Sequence, residues 1–374
     1  MINKKRLLGT FFEVLKIKSP SKNEKEIVDY VRWKLENLGL KVQIDNCGKN
    51  FGSNSGNIIA VCKSKNPSES MPIFLGAHLD TVKLNGDVIP VVKDGIITNK
   101  NKDCILGGDD KVAVAAILEA LNIIREEDIS TGSIYVIFTI SEEIGLLGAK
   151  HLDLNLVKAD YGFVFDGDGD IGTIINKAPY QNSIDAQFIG KAAHAGVEPE
   201  KGINSIKAAS IAISNINVGR IDSETTCNVG KINGGVAKNI VPENTNVEAE
   251  VRSIRLEKLN KITDFIINNF KKAADKYGAK IKYKVDREYD GFEISENEIP
   301  VKIAKLAIKK LDISPKIKST GGGSDINIFN SKGKISVNLS SGMERVHTSN
   351  EYVKVEQIEK LANLIIEICR TKIN

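Results

Sequence analysis

The sequence has little of what would place it outside the ordinary globular proteins. Its 374 residues include only five cysteines, Cys47, Cys62, Cys104, Cys227 and Cys369. The number is odd and no C-x-x-C pair occurs, which argues against a disulfide framework or a thiolate zinc site; the cysteines read as small buried apolar residues. No apolar run reaches the roughly 18 residues of a membrane span. The N-terminal stretch MINKKRLLGTFFEVLKIKSPSKNEKE lacks the unbroken apolar core and small-residue cleavage site of a secretory signal, so a cytoplasmic location is expected. Lysine and arginine total 52 against 48 acidic residues, a net charge of +4, and they are scattered rather than gathered into the basic face that nucleic acid would need. Repeats and low-complexity segments are lacking too.

What is present is bulk. Hydrophobic residues make up 41% and charged residues 27% of the chain, the balance of a globular protein, and the length suggests about two domains at roughly 150 residues each. Periodicity predicts amphipathic helices over 3–17 and 21–38, the second opened by a capping box of Ser21 with Glu24 and closed by Gly39. Strands are predicted at 57–62, 72–77, 133–140, 161–165 and 334–339, interleaved with helices at 111–125, 325–330 and 355–370. Such alternation means an α/β domain with a buried, mostly parallel sheet. Between about 180 and 286 the order changes to β-α-β-β-α-β, the split βαβ arrangement. The expected organisation is therefore an α/β domain of residues 1–179 and 287–374, interrupted by an α+β domain of residues 180–286.

Ligands of open α/β sheets bind beyond the carboxyl ends of the strands, and polar residues collect there. His78 and Asp80 in GAHLDTV follow one predicted strand, Glu142 and Glu143 in FTISEEIGLLGA a second, Asp166 in YGFVFDGDG a third and His347 in ISVNLSSGMERVHTS a fourth. Asp109 and Asp110 in LGGDDK open a helix, whose dipole tolerates carboxylates. Singly, each has a bland reading as a cap or polar loop residue. Together they bring two of the four histidines and several carboxylates to one sheet edge. Imidazole and carboxylate without thiolate suit zinc, cobalt or manganese. An imidazole bound to metal needs an acceptor on its other nitrogen, and Asp80 is placed to orient His78. A shared carboxylate, for which Asp109 is the candidate, can hold two metals close together. Adjacent Glu142 and Glu143 diverge in direction, so one can ligate while the other accepts a proton from water.

The motifs GAHLDTV, LGGDDK, SEEIGLLGA, DGDG, GKAAHAG, NIVPENTNVEAEVRS and STGGGSD together resemble the co-catalytic di-zinc exopeptidases that include peptidase T, glutamate carboxypeptidase and aminoacylase, with peptidase T-like proteins most similar. The resemblance runs over nearly the whole chain. It implies a zinc-exopeptidase catalytic domain with an inserted ferredoxin-like domain that acts as a lid and pairs two chains. It also implies two divalent ions, zinc first and cobalt or manganese as alternatives. One ion is held by His78, Asp109 and Asp166, the other by Asp109, Glu143 and His347. Glu142 is then the general base, Asp80 the partner of His78, and the Asp109–Asp110 peptide cis. Asp168 and Asp170 are alternatives to Asp166.

In the inserted domain the resemblance assigns His194 to the scissile carbonyl, and matches Asn239 and Arg252 to positions that hold a substrate carboxylate in members with carboxypeptidase activity. From residue type alone, His194 reads as a surface loop residue and Arg252 as a strand-edge charge. The glycines of STGGGSDINIF lack both a P-loop lysine and the G-x-G-x-x-G spacing, which argues against a nucleotide site; the resemblance implies instead a loop whose backbone lies against the substrate, where glycine permits close approach. The expected activity is hydrolysis of short peptides, foremost as a tripeptide aminopeptidase. Dipeptidase, carboxypeptidase or N-acyl amino acid amidohydrolase activity could use the same machinery, and the non-enzymatic alternative is a peptide-binding scaffold.

Overall fold

The computed structural model describes residues 2–64 and 70–372. Contacts divide the chain into two units, one formed by Met1–Asn176, Glu293–Ser319 and Ser324–Asn374, the other by Lys177–Phe292 and Thr320–Gly323.

The first unit is built on a mixed sheet. Nine of its strands lie in the order Lys41–Ile44, Ile58–Cys62, Ile134–Thr139, Ile73–His78, Tyr161–Asp168, Ile335–Glu344, Tyr352–Lys354, Ile96–Asn99 and Pro90–Lys93, and Thr173–Ala178 pairs off this path with Ile335–Glu344. The central four pair in parallel, and the strands on either flank are antiparallel. Ile73–His78 is buried at every position, as a strand covered on both faces must be. Its apolar run is thus a consequence of place rather than of strand propensity. The helix Lys111–Glu126 contacts this strand and also packs with helices Lys4–Lys16 and Val355–Arg370. Ala113, Ala115, Ala116 and Ala120 let it approach closely while Val112, Val114, Ile117 and Leu121 fill the space between, all without solvent exposure. Each such large aliphatic residue contributes about 1.5–3 kcal/mol of burial. Glu119 on the same helix is also buried, and its charge is met by Arg6 Nε at 2.6 Å and the Asn3 amide at 2.8 Å.

Two local readings change. The helix predicted from residue 21 begins at Lys25, with Glu24 at its N-cap and no side-chain cap bond; Ser21 and Glu24 bond elsewhere, as described below. A capping box does occur at Ser324 with Asn327, opening the helix Asp325–Ser331. The hairpin Pro90–Lys93 and Ile96–Asn99 was not anticipated. Its loop is Asp94-Gly95, both residues at positive φ (52° and 76°), the backbone that a two-residue type I′ turn requires. This hairpin matters for the site, because Ile96–Asn99 pairs with Tyr352–Lys354, the strand that immediately follows the His347 loop.

The second unit is an antiparallel sheet in the order Gly219–Asp222, Thr225–Gly234, Asn244–Ser253, Tyr180–Ile189 and Lys280–Tyr289. Burial alternates along Asn244–Ser253, so one face is dry. Helices Ser205–Ser214 and Leu256–Lys276 pack with these strands and with each other, closing a core around Phe188, Phe270 and Val251. The split βαβ order holds, with the short strand Gly219–Asp222 added before Thr225–Gly234. The strand bearing Arg252 is interior to the sheet, so the strand-edge reading of that residue is wrong.

Candidate metal centre

The parallel strands deliver their carboxyl ends to one place. His78 is the last residue of Ile73–His78, and Asp166 lies near the end of Tyr161–Asp168. Glu142 and Glu143 follow Ile134–Thr139, and His347 follows Ile335–Glu344. Asp109 enters from the N-terminal side of the helix Lys111–Glu126. Two triads result, His78 with Asp109 and Asp166, and Asp109 with Glu143 and His347; within each, one donor atom per residue lies within 4.8 Å of the others.

Asp109 belongs to both triads through different oxygens. Its Oδ1 is 3.1 Å from His78 Nε2 and its Oδ2 is 3.1 Å from His347 Nε2. His347 Nε2 is also 2.9 Å from Glu143 Oε1, and His78 Nε2 is 3.8 Å from Asp166 Oδ1. Both imidazoles therefore turn the same nitrogen, Nε2, toward the carboxylates. The remaining nitrogen of His78, Nδ1, lies 2.9 Å from the backbone oxygen of Asp80 and 3.5 Å from its carboxylate. The donor set is imidazole and carboxylate with no sulfur, which fits zinc, cobalt or manganese, and a carboxylate presenting one oxygen to each triad fits a shared ligand. The Asp109–Asp110 peptide is cis.

The electrostatics of the protein alone suit a pair of cations. Burial, and then the nearby carboxylates, push Asp166 well above the usual carboxylate range against the opposing pull of His78. Burial likewise raises Glu142, with Asp166, Asp325 and Glu143 adding to it and His78 opposing. Burial works against ionisation of Asp109 as well, but the His347 and His78 imidazoles outweigh it and hold that carboxyl low. Contacts with Asp109 and Glu143 raise His347 to about 10. The crowding of carboxylates around two imidazoles has the charge pattern of a site whose counter-ions are metals.

A surrounding layer holds these groups, and most of it escaped the sequence reading. The Asp80 carboxylate accepts from the Glu142 amide at 2.9 Å, the Glu143 amide at 3.2 Å and the Ser21 hydroxyl at 2.7 Å. It thus aims the turn that carries both glutamates more directly than it holds His78. Glu24, fully buried, accepts from the Ser141 hydroxyl at 2.5 Å, the Ser53 hydroxyl at 2.8 Å and the Lys22 amide at 2.7 Å. Lys111, also buried, donates to the Ile17 carbonyl at 2.6 Å. Glu351 accepts from the amides of Gly107, Gly108 and Asp109. The S-x-x-E pattern at Ser21 is the signal the sequence offers for this layer, and it has the form of a helix cap. Ser141 and His347 both stand at positive φ, 54° and 64°, a conformation costing about 1–3 kcal/mol for a non-glycine residue and common where function dictates geometry.

His194, Asn239 and Arg252 lie in the second unit. The Ala195 amide donates to the Asn239 carbonyl at 3.0 Å, which sets the His194 and Asn239 segments side by side. His194 Nδ1 accepts from the Gly196 amide at 3.2 Å. Arg252 forks onto Glu250 through Nε and Nη2, both at 3.1 Å.

The sequence profile of Peptidase family M20/M25/M40 matches residues 74–371. The chain belongs to that family. The uncharacterized protein YqjE of Bacillus subtilis (strain 168) is 40% identical over 368 residues, covering 98% of each chain. Two solved structures are similar along nearly the whole length. A tripeptidase of Staphylococcus aureus subsp. aureus Mu50 is 39% identical with a TM-score of 0.93 over 99% of this chain and 98% of its own. The aminopeptidase PepT of Bacillus cereus ATCC 10987 is 37% identical with a TM-score of 0.89 over the same shares. The peptidase is accordingly a metal-dependent hydrolase, with the M20 fold of a mixed α/β sheet flanked by helices. Among its described residues no helix is long and apolar enough to cross a membrane.

Proposed function

We propose that the chain is a two-metal aminopeptidase that removes the N-terminal residue from tripeptides and similarly short peptides. The observation that carries this reading is the meeting of two triads on the two oxygens of Asp109, with the spare carboxylate of Glu142 beside them. His78, Asp109 and Asp166 would hold one ion and Asp109, Glu143 and His347 the other, zinc by preference. Bound there, two divalent cations lower the pKa of water and stabilise negative charge on a carbonyl oxygen.

The protein's own groups do the rest. Glu142 takes the proton of the attacking water and passes it to the departing amine. Asp80 holds the backbone of Glu142 and Glu143, so the base and its ligating neighbour move as one. His194 donates to the oxygen of the scissile carbonyl, and Asn239 and Arg252 receive the substrate carboxylate. The similarity to the PepT aminopeptidase and to the tripeptidase supports the tripeptide as substrate. Pairing of two chains through the inserted domain and a cytoplasmic location complete the reading.

The deciding experiment compares Leu-Gly-Gly, N-acetyl-Leu-Gly-Gly and Leu-Gly as substrates of the metal-loaded enzyme. Cleavage of the free tripeptide and loss of turnover on acetylation are expected. Preference for the acetylated peptide would make it an N-acyl amino acid amidohydrolase, and preference for Leu-Gly a dipeptidase. Binding without turnover of any of the three would leave a peptide-binding scaffold. Light scattering of the purified protein reads the pairing, and a monomer rejects it.

A further inference from the structure

Glu351 takes no part in the chemistry above, yet its side chain is buried, with the residue only 2% exposed. Its carboxylate is spent on backbone. Oε2 accepts from the Gly107 amide at 2.8 Å, and Oε1 accepts from the Gly108 amide at 2.6 Å and the Asp109 amide at 3.2 Å. Three consecutive amides turned onto one carboxylate make a charge-assisted anchor. Removing its acceptor would leave buried donors unsatisfied.

The two ends of this anchor are what give it meaning. One end is the backbone that terminates in Asp109, whose oxygens face both His78 and His347. The other is the loop between Ile335–Glu344 and Tyr352–Lys354, in which Glu351 follows His347. The local backbone is shaped for the contact. Gly107 stands at a φ of 70°, in the left-handed region that glycine enters without strain. A Cβ at Gly108 would come within 3.1 Å of Glu351 Oε1.

We infer that Glu351 is a positioning residue that locks the Gly107–Asp109 backbone to the His347 loop, and thereby sets the spacing of Asp109 and His347 around the second ion. The inference rests on the two-metal reading above. Slack in this tether displaces two of the three ligands of the Asp109–Glu143–His347 triad relative to each other, but only one ligand of the His78–Asp109–Asp166 triad. The second ion is therefore the one that suffers. A purely structural role would lower thermal stability without singling out one ion.

The test is titration of metal-free protein with Co2+, followed by visible absorption and by competition with a chelator of known affinity. The wild-type protein is expected to take up two equivalents. Glu351→Gln keeps the size of the side chain but sets an NH2 group against backbone donors. It is expected to bind the first equivalent as the wild type does and the second about 10–100-fold more weakly, with turnover restored as Co2+ is raised. Two equivalents bound by the variant with wild-type affinities, whatever its melting temperature, overturn the inference. Should Glu351→Gln fail to fold, Gly108→Ala crowds the same carboxylate and is read by the same titration with the same two outcomes. Uptake of fewer than two equivalents by the unmutated protein would sink the two-metal reading itself, and the tether with it.

Discussion

Ser21 donates its hydroxyl to the carboxylate of Asp80 over 2.7 Å, although 59 residues separate them along the chain. The same carboxylate holds the amides of Glu142 and Glu143, so a residue of the N-terminal segment has a say in where the proposed base points. Ser21→Ala should lower kcat roughly tenfold with little change in KM, the effect of a lost hydrogen bond to a charged group. Steady-state kinetics on a tripeptide read the split, and an unchanged kcat would mean that the two amides suffice to place Asp80.

Glu142 is buried and belongs to neither triad. Glu142→Gln should therefore lose at least about a hundredfold in turnover, the usual contribution of a positioned base, while the protein keeps its full metal content. Metal analysis settles which glutamate does what. Loss of one ion in this variant would exchange the roles of Glu142 and Glu143.

His347 has a half-exposed side chain and closes the second triad from a loop at positive φ. His347→Ala should halve the metal content at limiting metal, because removal of one of three protein ligands weakens that site's coordination, with the first ion retained. Full occupancy at wild-type affinity would take His347 out of the coordination set.

The thiols give a pH prediction independent of the site. Burial, then the neighbouring Asp45, raises Cys47 to about 12, and burial, then Glu250, raises Cys227 to about 11. At pH 8 a thiol of pKa 11 is about one part in a thousand thiolate, against roughly a quarter for an ordinary cysteine. Native protein should thus leave Cys47 and Cys227 unmodified by iodoacetamide at pH 8, and denatured protein should label all five cysteines. Peptide mapping locates the label. Rapid native modification of Cys47 or Cys227 would show that these elements open more readily than their burial implies.

Much of the candidate site was legible because most of the residues of its two triads follow apolar runs. A buried parallel strand is rich in hydrophobic residues, and the polar residues that follow it mark the sheet's carboxyl edge, so His78, Glu142, Glu143 and Asp166 announce themselves locally, while His347 lies beyond Glu344, Arg345 and Val346 and stands out less. The partners of those residues do not. Glu351 meets Gly107 from 244 positions away, and nothing in the spacing of either stretch requires it. At Ser21 and Glu24 the pattern was visible but ambiguous, since a hydroxyl and a carboxylate that could cap a helix could equally serve a distant carboxylate and a distant serine. The Asp94-Gly95 hairpin was legible in principle, since Asp-Gly sits between the apolar stretches VIPVV and II and favours a two-residue turn, but its strands are short and partly exposed. Arg252 was misplaced for a related reason, because a charged residue on the wet face of an interior strand has the same local pattern as one on an edge.

The family profile begins at residue 74, so Ser21, Lys22, Glu24 and Ser53 all stand ahead of it. None of these four belongs to either candidate triad, yet Ser21 reaches the turn of Glu142 and Glu143 through Asp80, and Glu24 reaches it through Ser141. In engineering terms the N-terminal segment is an adjustable mount: substitutions at Ser21 or Glu24 would alter the bonds that aim this turn while leaving every donor atom of the two triads in place.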